Sequence, residues 1–119
     1  MKVAFGFSAL VFAVISLNAN ANPQALVQCT VLGTNPPQAV EIDSFVGKYQ
    51  ISVGDKIFQT VSGKTTSIHN ATEGLIVNGL INADNSNSTA NFILPDAQSA
   101  SPQINVDGND LSLTNCQRD

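Results

Sequence analysis

From residue 22 onward, apolar residues recur at every second position in short runs, and Gly, Pro, Asn, Asp and Ser separate the runs. A period of two puts successive side chains on opposite faces of an extended chain, so each run reads as a strand with one face toward a core. Ala25, Val27, Cys29 and Val31 share one face of the first. After a breaker at 33–37, residues 40–45 lead into Tyr49, Ile51 and Val53, which alternate with Lys48, Gln50 and Ser52. Gly54-Asp55 has the chemistry of a two-residue hairpin turn, 57–61 returns, and Ser62-Gly63-Lys64 turns the chain into 65–69. Residues 75–81 are read as one long strand with a bulge at Asn78-Gly79, because splitting it leaves two arms too short to stand alone. Residues 82–88 form a polar loop, 90–94 a strand stopped by Pro95, and 96–102 a second polar linker. A last hairpin sets Ile104 and Val106 against Leu111 and Leu113 across Asp107-Gly108-Asn109. No helical window competes. The expected fold is all-β, a small antiparallel barrel or sandwich of about seven to eight short strands.

The first twenty-one residues break this pattern and fix the expected compartment. A cationic start at Met1-Lys2, an apolar run over 3–17 and the small-residue exit Ala19-Asn20-Ala21 form a signal peptide, too short to span a membrane. Cleavage after Ala21 leaves a single secreted or periplasmic β-domain over 22–119, with no membrane span. An outer-membrane barrel is excluded by length, since eight spanning strands of about ten residues plus turns exceed the mature chain.

Two cysteines remain, Cys29 and Cys116. In an oxidising compartment their default state is a disulfide, and here it closes nearly the whole domain into one loop. Cys29 points with the apolar set of its strand. Cys116 lies off the parity of Leu111 and Leu113, so the last strand must end or bulge before it to reach Cys29.

Charge is sparse: Asp, Glu, Lys and Arg make up 12% of the chain, against a usual quarter. With a formal net charge of −4 and no clustered cations, nucleic acid is an unsuitable partner, because phosphate neutralisation needs a basic patch. Asn70-Ala71-Thr72 and Asn87-Ser88-Thr89 are glycan acceptors if the source is eukaryotic.

Groups that could carry chemistry are few. His69 is the only histidine, and Glu73, four residues on, is its nearest acid in sequence. Glu41 and Asp43 put two carboxylates on one strand face, a pairing that glycoside hydrolysis uses together with a deep cleft and aromatic platforms. The chain has no tryptophan and one tyrosine. Residues 84–88 offer oxygens at alternate positions but lack the central Gly of a calcium loop, and Pro95 stands where its bidentate Glu belongs. No nucleophile, base and orienter can be named together, so no catalytic residue, metal site or cofactor is expected.

The turn Ser62-Gly63-Lys64 resembles the protruding Ser-Gly loop of periplasmic lysozyme inhibitors, small exported β-barrels with a disulfide. The likeness covers three residues, without aromatic neighbours or the more elaborate loop around them. It implies a rigid scaffold offering one loop to a partner. The expected function is therefore a non-enzymatic binding or inhibitory module, with Ser62, Gly63 and Lys64 as partner-binding loop and a protein or glycan of the envelope or exterior as partner. A structural component associating through edge strands is the alternative, and a small hydrolase using the Glu41/Asp43 or His69/Glu73 pair the second alternative.

Overall fold

The computed structural model describes residues 24–118; the leader read over 1–21 lies outside them. Ten strands follow one another: β1 (Gln24–Val31), β2 (Gln38–Phe45), β3 (Lys48–Val53), β4 (Lys56–Gln59), β5 (Thr66–Asn70), β6 (Gly74–Asn82), β7 (Thr89–Leu94), β8 (Gln103–Val106), β9 (Asn109–Asp110) and β10 (Leu113–Arg118). All pair antiparallel in one sheet, ordered β10-β1-β2-β3-β4-β6-β7-β8-β9, with β5 also on β6. The sheet curls on itself as an incompletely closed barrel rather than splitting into two packed layers.

Its inner face carries the alternating residues that the period of two selects. Val27, Cys29 and Val31 of β1, Val40 and Ile42 of β2, Ile51 and Val53 of β3 are all buried. Phe58 and Phe92 fill the middle, and Tyr49 meets Phe92 edge to face at a centroid distance of 5.8 Å. Fully burying side chains of this size contributes roughly 1.5–3 kcal/mol each, so this face holds the curl.

Three register shifts mark the sheet, and the first, in β1 between Ala25 and Val27, sets Leu26 rather than Ala25 against the core. In β6 the register slips between Val77 and Leu80, where Asn78-Gly79 insert and both flanking residues stay buried. In β10 the register against β1 shifts between Gln28 and Thr30; Asn115 takes a positive φ of 52° there and Cys116 turns inward. Cys29 and Cys116 form the disulfide, with Cα atoms 4.0 Å apart and a sequence separation of 87. The first and last strands are thus neighbours and covalently joined.

The final hairpin differs from expectation, and the strand count rises to ten. Asn109–Asp110 pairs with β8 across the two-residue turn Asp107-Gly108, but Leu113 pairs with Val31 of β1 instead of continuing that arm. The change of partner takes two residues: Leu111 N–H donates to Ile104 O at 2.9 Å, and Leu32 N–H donates to Ser112 O at 2.8 Å. The chain therefore crosses from one edge of the curled sheet to the other. At the opposite end of this seam Arg118 donates from Nη1 to Ala97 O and Ala100 O, and from Nη2 to Pro95 O, at 2.8–3.1 Å. The linker 96–102 is held by that guanidinium.

Candidate functional site

The segment between β4 and β5 carries the residues singled out for partner binding. Sequence chemistry suggests a hairpin there, but β4 and β5 do not pair with each other. Both lie along the same side of β6, β5 against Gly74 to Asn78 and β4 against Ile81 and Asn82. Ser62-Gly63-Lys64 is consequently a corner that interrupts one long edge. Local turn residues specify that the chain bends; which strand it then meets is set by non-local pairing, so hairpin and corner share one signature.

The corner is fixed by a small set of bonds. Lys64 and Thr65 N–H donate to Val61 O at 3.0 and 2.9 Å, and Val61 N–H donates to the Thr65 hydroxyl at 2.8 Å. That hydroxyl donates in turn to Gly79 O at 2.7 Å, inside the β6 bulge. Gly79 N–H donates to Asn91 Oδ1 on β7 at 2.8 Å, which ties the bulge to the next strand. A Cβ on Gly79 would sit 2.5 Å from Lys64 O, so only glycine admits this approach. Ser62, Gly63 and Lys64 themselves are exposed, and a Cβ built on Gly63 meets nothing.

Beyond the corner lies β5. All five of its residues are exposed, and among the described residues it pairs with β6 alone. Sequence reasoning gives this strand but not its position at an edge, because strand order depends on contacts distant in the chain.

The other candidates are dispersed. His69 Nε2 meets both carboxylate oxygens of Asp96 at 2.9 Å, across β6 in the β7–β8 linker; Glu73, the expected partner, instead donates its backbone N–H to Asn70 Oδ1 at 3.0 Å. The His69–Asp96 pair is open to water on both sides, where such pairs contribute about 0–1 kcal/mol. Glu41 and Asp43 do share the outer face of β2. Asp43 is 6% exposed and registers opposite Gln50, 5% exposed, whereas Glu41 is half-buried. A depression of about 310 Å³ opens on that face among Gln28, Thr30, Ala39, Glu41 and Gln117; it takes in Glu41 without Asp43. The two carboxylates therefore do not face one cleft. No group of three or more His, Cys, Asp or Glu side chains able to hold a metal occurs among the described residues.

The loop oxygens of 82–88 serve the backbone. Asn82 Oδ1 accepts from Asp84 and Asn85 N–H, and Asn85 Oδ1 accepts from Asn87 N–H. The loop ends on Asp107, whose carboxylate accepts from Thr89 N–H and the Ser88 hydroxyl at 2.8–2.9 Å. Those bonds, the Thr89 N–H foremost, hold the Asp107 carboxyl below its ordinary range. Both sequon asparagines, Asn70 and Asn87, are exposed.

No protein-family model, no curated protein and no solved structure matches the chain.

Proposed function

We propose that this is a non-enzymatic binding domain of the periplasm or extracellular space, which presents the corner Ser62-Gly63-Lys64 and the edge that follows it to a protein or glycan partner. The observation that carries the reading is the mounting of the corner: an exposed Ser-Gly-Lys tip on a base closed by its own bonds between Val61, Lys64 and Thr65 and tied to β6 through the Thr65 hydroxyl on Gly79 O. A binding loop held in one conformation loses little entropy when a partner docks. Export is supported by the leader-like N-terminus and by the disulfide, which persists in oxidising compartments. No helix among the described residues is long and apolar enough to cross a membrane.

A Ser62→Ala, Lys64→Ala double variant tests the reading. Both side chains are exposed, so the melting temperature stays within a few degrees, as expected for surface changes of up to about 0.5 kcal/mol each. Capture of partners from the envelope of the expressing cell falls. Equal capture by the variant and the unaltered protein rejects the corner. The intact mass of the exported product tests the compartment, with cleavage after Ala21 as the expected result.

A further inference from the structure

We propose that the open edge of β5 pairs antiparallel with β5 of a second copy of this chain, giving a two-fold dimer in which one row of isoleucines runs across both molecules. The inference rests on the reading of the corner and its edge as the binding surface, and it names the occupant.

The edge lacks the devices by which sheet proteins discourage such pairing. Thr66, Ser67, Ile68, His69 and Asn70 include no Lys, Arg, Asp, Glu or Pro, and the strand contains no bulge. Its backbone groups on the side away from β6 are placed to continue a ladder.

The outer face supplies the apolar surface. Ile68 registers directly opposite Ile76 of β6, and Ile76 directly opposite Ile93 of β7. Their sequence neighbours Val77 and Phe92 are buried in the core, so these three side chains stand on the face away from it. Ile68, at the end of the row, is 59% exposed. Ile76 and Ile93 are half-buried, so the row is left uncovered at Ile68, on the unpaired edge.

Antiparallel self-pairing centred on Ile68 covers it. Ile68 then faces Ile68 of the partner subunit, Ser67 faces the partner's His69, and Thr66 faces the partner's Asn70. The row lengthens from three isoleucines to six, through the cross-strand aliphatic contacts that stabilise sheets. No like charges oppose each other, and one two-fold axis satisfies both chains, as a closed homodimer requires.

Charge complements the same register. Lys64 precedes β5 by two residues and Glu73 follows it by three, and both are exposed. Antiparallel pairing brings the N-terminal end of each β5 to the C-terminal end of the other, so each Lys64 comes beside the partner's Glu73. Two chains of net charge −4 repel one another at long range. That repulsion is screened beyond about 10 Å at 0.1 M salt, whereas the two Lys–Glu pairs act at contact distance. An interface one strand wide belongs to the small, transient class, so association is expected at high rather than low concentration.

Sedimentation equilibrium of the oxidised protein from about 10 μM to about 1 mM covers the range of affinities such an interface gives. The unaltered chain is expected to pass from monomer to dimer. Ile68→Lys is expected to remain monomeric with an unchanged melting temperature. Lys64→Glu and Glu73→Lys are each expected to weaken self-association roughly five- to thirtyfold, since two attractive pairs become two repulsive ones. An equimolar mixture of these two variants restores dimerisation, because both cross-pairs become complementary again; a purely structural role for either residue would not give that result. A monomer throughout the range, a dimer indifferent to Ile68→Lys, or a mixture no better than its components overturns the proposal. If the chain stays monomeric while the Ser62→Ala, Lys64→Ala variant loses envelope capture, self-pairing fails and the binding reading stands. If the dimer forms and capture is unaltered, the reverse holds.

Discussion

Val46 is the residue that least suits its place. It opens the β2–β3 turn at a φ of 51°, followed by Gly47 at 75°, so both central residues are left-handed, the pattern in which Asn-Gly is preferred. A β-branched side chain there meets its own backbone, and it is exposed besides. Val46→Asn is expected to stabilise the domain by about 0.5–1 kcal/mol, read as a higher urea midpoint at unchanged slope. Asp107 makes the opposite case, a turn residue whose side chain is fully used. Its folded pKa lies below the ordinary 3.8, so the stability it contributes is present in full above that value and disappears as pH falls through the lowered one. The difference between the unaltered protein and Asp107→Asn is therefore constant above about pH 4 and narrows below it; thermal melts from pH 2 to pH 6 follow the change. At this scale the sequence is legible wherever the partner is close. Asn78-Gly79 as a bulge and Asp107-Gly108 as a turn follow from neighbouring residues. The bond from His69 to Asp96 spans 27 positions and leaves no local trace, whereas Glu73, near in sequence, misleads.

Strands and their inward faces follow from alternation, and the consecutive pair β3–β4 follows from its Gly54-Asp55 turn. What alternation leaves open is adjacency between elements far apart in the chain, and both surprises are of that kind. The corner after β4 lies on β6 because β6, nine residues long, has room on one side for two short strands in succession. The last hairpin arm divides because Leu113 gains a ladder partner on β1 that continued pairing with β8 would deny it. Candidate site and surprise coincide here: Ser62-Gly63-Lys64 could be picked out as a turn, but its base on the Gly79 bulge and the open edge beyond it could not. The seam between the two ends of the sheet has the crossing at Leu111 and Ser112 at one end and Arg118 at the other. Arg118→Ala removes three charge-assisted bonds to the 95–100 backbone, and with partial exposure the expected cost is about 1–3 kcal/mol. Arg118→Lys recovers only part of it, because one ammonium cannot reproduce the planar fork. Amide exchange reports where the loss falls, with protection decreasing in β10 and the 96–102 linker before the rest of the sheet.

For the molecule as a whole, the pairing of Val27 with Arg118 places the beginning and end of the described chain on adjacent strands. The Cys29–Cys116 bridge between those strands closes 87 residues, and on the chain-entropy model such a loop stabilises by about 4–5 kcal/mol. The Cys29→Ser, Cys116→Ser double variant is expected to melt markedly lower, and native protein to take up no alkyl groups until it is reduced. Adjacent ends also make the fold a ring that happens to be cut between β10 and β1. A circular permutant, its old termini joined by a short linker and its new ones opened at Asn85-Ser86, keeps every strand pairing. Its disulfide then encloses only about 15 residues and constrains the unfolded chain by about 3 kcal/mol. Reducing the permutant should therefore depress its melting temperature less than reducing the parent, although the bond and all its surroundings are the same. The strength of this covalent link is a property of where the polypeptide starts.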